Sequence, residues 1–232
     1  MQLFYAEDID SEFDLSKDES RHLIRVLRKT LGDSVIFTDG MGGKYWCDII
    51  DDNPKKTRLK VVKKEQIKQS KPKLTIAIAP TKNMDRIEWF LEKSTEIGIY
   101  RIIPILCAHS ERKVIKNDRL EKIIVSAMKQ SLKYYKPMLS PMIRFDAFLE
   151  QHFSGRKFIA HLDEANPILF QNLYKKKEEL LILIGPEGDF SPEEIALATS
   201  NNFEMVSLGN SRLRTETAGV VACHSFNFMN EK

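Results

Sequence analysis

Residues 180–220 read LLILIGPEGDF SPEEIALATS NNFEMVSLGN SRLRTETAGV, and this stretch decides the class of fold. The unbroken apolar run Leu180–Ile184 suits a strand buried on both faces, and it strikes a glycine turn, Gly185-Pro186-Glu187-Gly188. Ser191-Pro192-Glu193-Glu194 then carries the marks of a helix start: a capping serine, a proline at the first helical position and a glutamate three residues after the cap. A second apolar run, Phe203–Leu208, strikes Gly209, and another helix follows from Thr215. Two strand ends that feed two neighbouring loops are the arrangement in which a parallel sheet holds a ligand. Such units also occur without ligands. What separates this pair is a polar cluster at a helix mouth, Arg212, Arg214, Thr215, Glu216 and Thr217.

Working upstream, the alternation of strand and helix runs back to residue 74. Leu74–Ala79 reads as a strand, Asn83–Ile97 as a helix stopped by Gly98, and Tyr100–Leu106 as a strand whose Pro104 implies an irregular or edge position. A helix capped by Asn117 or Asp118 runs through Leu132; Asp146–Gln151 makes a helical turn, Lys157–Leu162 a strand and Asn166–Lys175 a short helix. This pattern predicts an α/β fold, a parallel sheet with helices on both faces. Residues 1–70 differ. Short strands at Leu3–Tyr5, Val35–Thr38, Tyr45–Ile50 and Thr57–Lys64 predict a small barrel. One helix interrupts them over Ser16–Arg28, with Ser16 and Glu19 spaced as a capping box and Arg21, Arg25 and Arg28 on one side. The polar stretch Glu65–Lys73, with Pro72, reads as a linker, which gives domains at 1–70 and 73–232.

The chain has 232 residues, 42% of them hydrophobic, enough for a packed core and against disorder. No segment reaches the roughly 18 apolar residues of a membrane span. The opening MQLFYAEDID carries early acids and does not read as a secretion leader. Cys47, Cys107 and Cys223 are far apart and odd in number, which fits a reducing compartment and gives no metal spacing; the five histidines are equally scattered, so no metal is expected. The net charge of +3 says little, but its distribution says more. Basic residues gather at Arg21, Arg25, Arg28 and Lys29, along Lys55–Lys73, and at Lys129, Lys133 and Lys136. Such clusters suit a phosphate backbone, or simply a soluble surface.

The glycine turn lacks the GxGxxG pattern, and the chain has neither a P-loop nor a G-x-S-x-G elbow. Ser191 and Ser211 lack clear histidine and acid partners for covalent hydrolysis. What remains is a pocket of backbone groups, which glycine leaves open to close approach, with Leu183, Leu208 and Leu213 as an apolar wall for a purine. Such a pocket suits a nucleoside cofactor better than a metal or a sugar.

Five stretches carry a resemblance over essentially the whole chain: HLIRVLR at 22–28, IEWFLEKSTEIG at 87–98, AMKQS at 127–131, GPEGDFSPEEI at 185–195 and LGNSRLRTETA at 208–218. The chain closely resembles the RsmE family, the small-subunit ribosomal RNA uridine-N3 methyltransferases of the SPOUT superfamily. The resemblance implies a PUA-like β-barrel that binds RNA, followed by a SPOUT-type parallel-sheet domain with a deep trefoil knot. It implies a cytoplasmic homodimer that uses S-adenosylmethionine, acts on 16S rRNA or the assembled small subunit, and draws on the partner subunit to complete the RNA site.

By the family pattern Gly185, Pro186 and Gly188 of the first loop, and Leu208, Gly209, Leu213, Arg214, Thr215 and Thr217 of the second, contact the cofactor. Arg214 is the candidate to stabilise charge on the uracil oxygens, or else a structural ion pair with Glu216. Glu216 is the nearest candidate base, or else fixes the loop by accepting backbone N–H groups. Arg21, Arg25, Arg28, Lys93, Gln130 and Lys133 are the RNA candidates. Departures stand at Asp189, where relatives often have glycine, around Asn210-Ser211, and at Lys133, where relatives commonly have arginine and lysine loses its two-pronged donor. Ribose 2′-O methylation, or RNA binding without catalysis, are the rival functions.

Overall fold

The computed structural model describes residues 2–69, 72–161 and 168–231. Two compact units form, one of residues 1–70 with 128–136 and the other of 71–127 with 137–232. The return of 128–136 to the first unit goes beyond the single linear boundary expected near residue 70. Within that unit Gly42 N donates to Tyr134 O at 2.8 Å, and the Tyr135 hydroxyl donates to Ile67 O at 2.7 Å.

The first unit comprises β1 (Leu3–Tyr5), β2 (Glu12–Asp14), α1 (Lys17–Arg21), β3 (Ser34–Thr38), β4 (Gly43–Asp51) and β5 (Arg58–Gln66). Its strands pair in the order β1-β3-β4-β5-β2 as a curled half-barrel. Strand β4 shows why the sheet curls around a core: Gly43, Tyr45, Cys47 and Ile49 alternate inward, and Lys44, Trp46 and Asp48 are less buried. Phe37 stacks on Phe4 and takes the edge of Phe13 in that core.

The expected helix over Ser16–Arg28 is shorter than its rhythm suggests. Ser16 caps α1, accepting from Glu19 N at 3.3 Å. The chain then widens into a π-helical turn, His22–Val26, whose Leu27 N donates to His22 O. Arg28 lies beyond that turn at φ 55°, so it is not on the helix that carries Arg21.

The second unit comprises β6 (Leu74–Ile78), α2 (Met84–Ile97), β7 (Arg101–Leu106), the start of α3 (Asn117–Gln130), β8 (Met138–Leu139), β9 (Ile143–Arg144), α4 (Phe145–Leu149), β10 (Arg156–Ala160), α5 (Phe170–Leu173), β11 (Leu180–Ile184), α6 (Pro192–Ser200), β12 (Glu204–Val206) and α7 (Thr215–Met229). The expectations at Leu162 and at 166–167 fall outside the described residues. The sheet runs β12-β10-β11-β6-β7-β8, every described pair being parallel, with β9 also on β7.

Helices cover both faces, as the alternation predicts. Leu74, Ile76 and Ile78 of β6 join the core under α2, α3, α5 and α7, and Ala77 joins the core under α4 and α6. Pro104 is not at an edge. It sits inside β7, between the stretch paired with β8 and the stretch paired with β9, where its missing N–H breaks neither described pairing. The Ser191 start of α6 forms a complete capping box: Glu194 N donates to Ser191 Oγ at 3.2 Å, and Ser191 N donates to Glu194 Oε2 at 2.9 Å.

Candidate functional site

The C-terminal ends of β10, β11 and β12 open into one hollow of about 280 Å³. Its walls are the loop after β11, from Gly185 to Asp189, and the loop before α7, from Ser207 to Leu213, closed by Thr215 and Ala218 of α7. The two loops are tied directly: the Thr215 hydroxyl donates to Gly185 O at 2.9 Å. In the second loop the Ser207 hydroxyl donates to Gly209 O at 2.7 Å and accepts from Gly209 N at 3.2 Å. Gly209 stands at φ 137°, a conformation side chains rarely adopt, so the loop's course depends on glycine here.

The first loop is held from outside the hollow. Lys82 N donates to Glu187 Oε1 at 3.1 Å, and Ala108 N donates to Glu194 Oε1 at 2.8 Å. His109 Nδ1 lies 3.1 Å from Gly188 O and 3.0 Å from Asp189 O. Asp189 itself adopts φ 62°, the left-handed region that costs most residues about 1–2 kcal/mol and that aspartate tolerates better than most. Its carboxylate accepts from Phe190 N at 2.8 Å and reaches His161 Nδ1 at 3.1 Å, so the side chain fixes a backbone shape that glycine would adopt freely. Nearby, burial pushes the Cys107 thiol well up, which leaves it unreactive.

Two protein-family models match, an RNA methyltransferase domain over residues 68–227 and an RNA methyltransferase PUA domain over residues 15–62. A relative from Rickettsia conorii, named ribosomal RNA small subunit methyltransferase E, is 30% identical over 218 residues, 92% of this chain and 88% of the relative. The chain belongs to the ribosomal RNA small subunit methyltransferase E family. Among solved structures, one from Porphyromonas gingivalis described as a probable rRNA-methyltransferase is 42% identical, with a TM-score of 0.94 over 99% of this chain and 98% of that one. A methyltransferase from Legionella pneumophila, solved with bound SAM, is 25% identical, with a TM-score of 0.88 over 98% of this chain and 97% of that one.

In this family member, Gly185, Pro186, Leu208, Gly209, Leu213 and Thr215 all line the hollow. The other expected contacts do not. Leu183 is fully buried in the core under α4 and α6. Its neighbour Ile184 faces the hollow together with Val206. Gly188 packs against His109, where an added Cβ would come within 3.1 Å of the histidine Cβ. Arg214 is the exposed N-cap residue of α7, and Thr217 is half-buried one turn on; neither lines the hollow.

Glu216 is buried, and its ion-pair partner is Arg86 on α2 at 3.8 Å rather than Arg214. Its Oε2 is buried with no hydrogen-bond partner among the described residues. Lys93 is held on its own helix by Glu92 at 2.6 Å and Glu96 at 3.1 Å. Arg21, Arg25 and Arg28 are exposed on the first unit, to which Gln130, also exposed, and the half-buried Lys133 belong as well.

Sequence reasoning did not single out His161, Ser207 or Glu187, all of which line the hollow. His161 is a lone histidine one residue past a strand, and no spacing marks it. Glu187 lies inside the glycine turn already singled out, so that turn was its signal.

Proposed function

We propose that the protein transfers a methyl group from S-adenosylmethionine to N3 of a uridine in the small-subunit ribosomal RNA. The observation that carries this reading is the single hollow formed by the two glycine loops and locked by the Thr215–Gly185 hydrogen bond. The hollow suits the cofactor. Its volume is near the lower end for small-molecule sites. Ile184, Val206, Leu208 and Leu213 give an apolar wall for adenine. A Cβ at Gly209 would meet nothing within 4 Å, so the chain leaves room there for close approach. Among the described lining residues, Glu187 and Asp189 outnumber Arg212, a net negative balance that suits a ligand carrying positive charge.

Bound there, S-adenosylmethionine supplies an electrophilic methyl on a sulfonium. The residues of the chain do the rest. The two loops would hold the donor against the strand ends and position it for an incoming ring nitrogen. Arg214, exposed beside the second loop, carries the charge that builds on the uracil oxygens as N3 gives its proton to solvent. Glu216, buried and paired with Arg86, holds the first turn of α7 in position. Arg21, Arg25 and Arg28 contact phosphates and set the register of the RNA, and Lys93, Gln130 and Lys133 complete the RNA contacts.

Residues 1–70 form the RNA-binding module and 73–232 the methyltransferase domain, its C-terminal chain threading a trefoil knot. The active form is a cytoplasmic homodimer. Trp89 on α2 and Phe228 on α7 are large exposed apolar side chains on two helices that pack together, the kind of face a second copy covers. The deciding experiment is transfer of labelled methyl to small-subunit rRNA lacking the modification, offered both as free RNA and as assembled particles. Mass spectrometry of the digested product then locates the methyl. A methyl on a ribose 2′-oxygen would overturn the N3 assignment, and no transfer to either substrate would overturn the enzymatic one. Arg214→Ala is expected to lower kcat while leaving cofactor affinity unchanged.

A further inference from the structure

A second hollow, of about 180 Å³, opens at the opposite end of the parallel sheet, where β6, β7, β10 and β11 begin. Its floor is apolar and largely aromatic, with Phe148, Phe153, Leu181 and Phe203. Its charge is lopsided. Among the described residues, Lys73, Arg101 and Lys157 line it against one carboxylate, Glu179, a surplus of two positive charges.

None of the three cations has a carboxylate in salt-bridge distance among the described residues. Their partners are neutral: Arg101 Nε donates to Ser140 Oγ at 3.0 Å, Lys157 Nζ donates to Asn201 O at 2.6 Å, and Lys73 Nζ lies 5.0 Å over the Tyr100 ring. Thr75, only 5% exposed, also lines the hollow. Cations without a carboxylate partner, gathered on an aromatic floor, are the complement of an oxyanion attached to a flat ring. A surplus of two charges matches a phosphate monoester, which carries about −1.5 to −2 near neutral pH, better than a carboxylate.

We propose that this hollow is a second ligand site that takes a nucleoside monophosphate, its ring on the aromatic floor and its phosphate on Lys73, Arg101 and Lys157. The same chemistry is available from a free nucleotide or from the terminal phosphate of an RNA strand. The inference does not depend on the methyl-transfer reading, because the two hollows lie at opposite ends of the strands.

The test is calorimetric titration of the full-length protein with uridine 5′-monophosphate, uridine and inorganic phosphate, each with and without saturating S-adenosylmethionine. The monophosphate is expected to bind at least about tenfold more tightly than uridine or phosphate, with the cofactor making no difference. The double variant Lys73→Met/Lys157→Met is expected to lose at least about tenfold in that affinity at an unchanged thermal midpoint. Glu179→Gln, which removes the opposing charge, is expected to tighten it. A 5′-phosphorylated oligonucleotide that outcompetes both the monophosphate and its own 5′-hydroxyl form would identify the RNA end as the source. Failure of the oligonucleotide to compete would identify the free nucleotide. Equal affinity for uridine and its monophosphate, displacement by S-adenosylmethionine, or no loss in the double variant would overturn the proposal.

Discussion

Gly209→Ala asks whether backbone conformation holds the second loop in shape. At φ 137° an alanine is strained, yet its Cβ would meet no atom within 4 Å, so the whole cost lies in the backbone. Strain of this kind is worth about 1–3 kcal/mol, or roughly 5- to 150-fold in an equilibrium constant. The loop can respond in two ways. If it keeps its shape, the folded state bears the strain, and the urea midpoint falls while cofactor affinity holds. If it relaxes, the Ser207–Gly209 hydrogen bonds are lost, stability holds, and S-adenosylmethionine binds more weakly.

Unfolding and binding form a cycle, so the two losses together should come to about 1–3 kcal/mol however they divide. Urea unfolding and calorimetry measure the two parts. Gly32→Ala is the control. It stands at φ 86°, also with nothing within 4 Å, but on the first unit, so it should lose stability with affinity unchanged. Combined losses below about 0.5 kcal/mol, the ordinary scatter of neutral substitutions, would refute the reasoning. So would an equal loss of affinity in Gly32→Ala.

Gly219→Ala should destabilise in urea by up to about 2 kcal/mol: overpacking costs about 1–3 kcal/mol, and alanine's helix preference returns only about 1. The added Cβ would stand 2.6 Å from the Phe90 ring, and Phe90→Leu in the same background should recover part of the loss. All three described cysteines are buried, and burial pushes the Cys47 thiol up to about 12. Iodoacetamide near pH 8 should therefore leave the native protein unlabelled and label all three cysteines in denaturant, as read by intact-mass spectrometry. Hydrogen bonds from Arg58 and then Lys56 hold the Asp14 carboxyl near about 2, below its ordinary value. What Asp14 adds to stability is thus complete above the ordinary carboxylate range and lost as pH falls through about 2. Asp14→Asn should flatten the acid side of the stability profile, measured by thermal melts between pH 5 and pH 2, and an unchanged acid slope would count against the pairing.

Much of the fold is legible because its signals are local. The Ser191 cap and Glu194 lie three residues apart, Asn83 and Gly98 bracket α2, and the inward alternation of β4 is written in consecutive residues. What is not legible depends on parity or on distance. The run Leu180–Ile184 is apolar throughout, so nothing in it shows which residues face the hollow. Leu183 turns out to face the opposite layer, and Ile184 lines the site. The helical rhythm of 16–28 gives no hint of a π-helical turn, because one added residue per turn still keeps Leu23 buried. Arg86, the ion-pair partner of Glu216, lies 130 residues upstream on another helix, so sequence proximity favoured Arg214.

Distance also explains how loops so rich in glycine can be rigid. The contacts that fix the first loop and the start of α6 after it come from residues far along the chain: Lys82 N on Glu187, Ala108 N on Glu194, His109 on the carbonyls of Gly188 and Asp189. They span 79 to 105 residues, and neither Lys82, Ala108 nor His109 lines the hollow. The loop is therefore supported from behind. Glycine at 209 then serves conformation and close approach and adds no freedom, which is the condition for binding a flexible nucleoside without an added ordering cost on the protein side. Asp189 fits the same logic from the other direction. A residue that strains the turn stands there with its carboxylate fastened to Phe190 N and His161, so side-chain bonds hold the turn in one conformation.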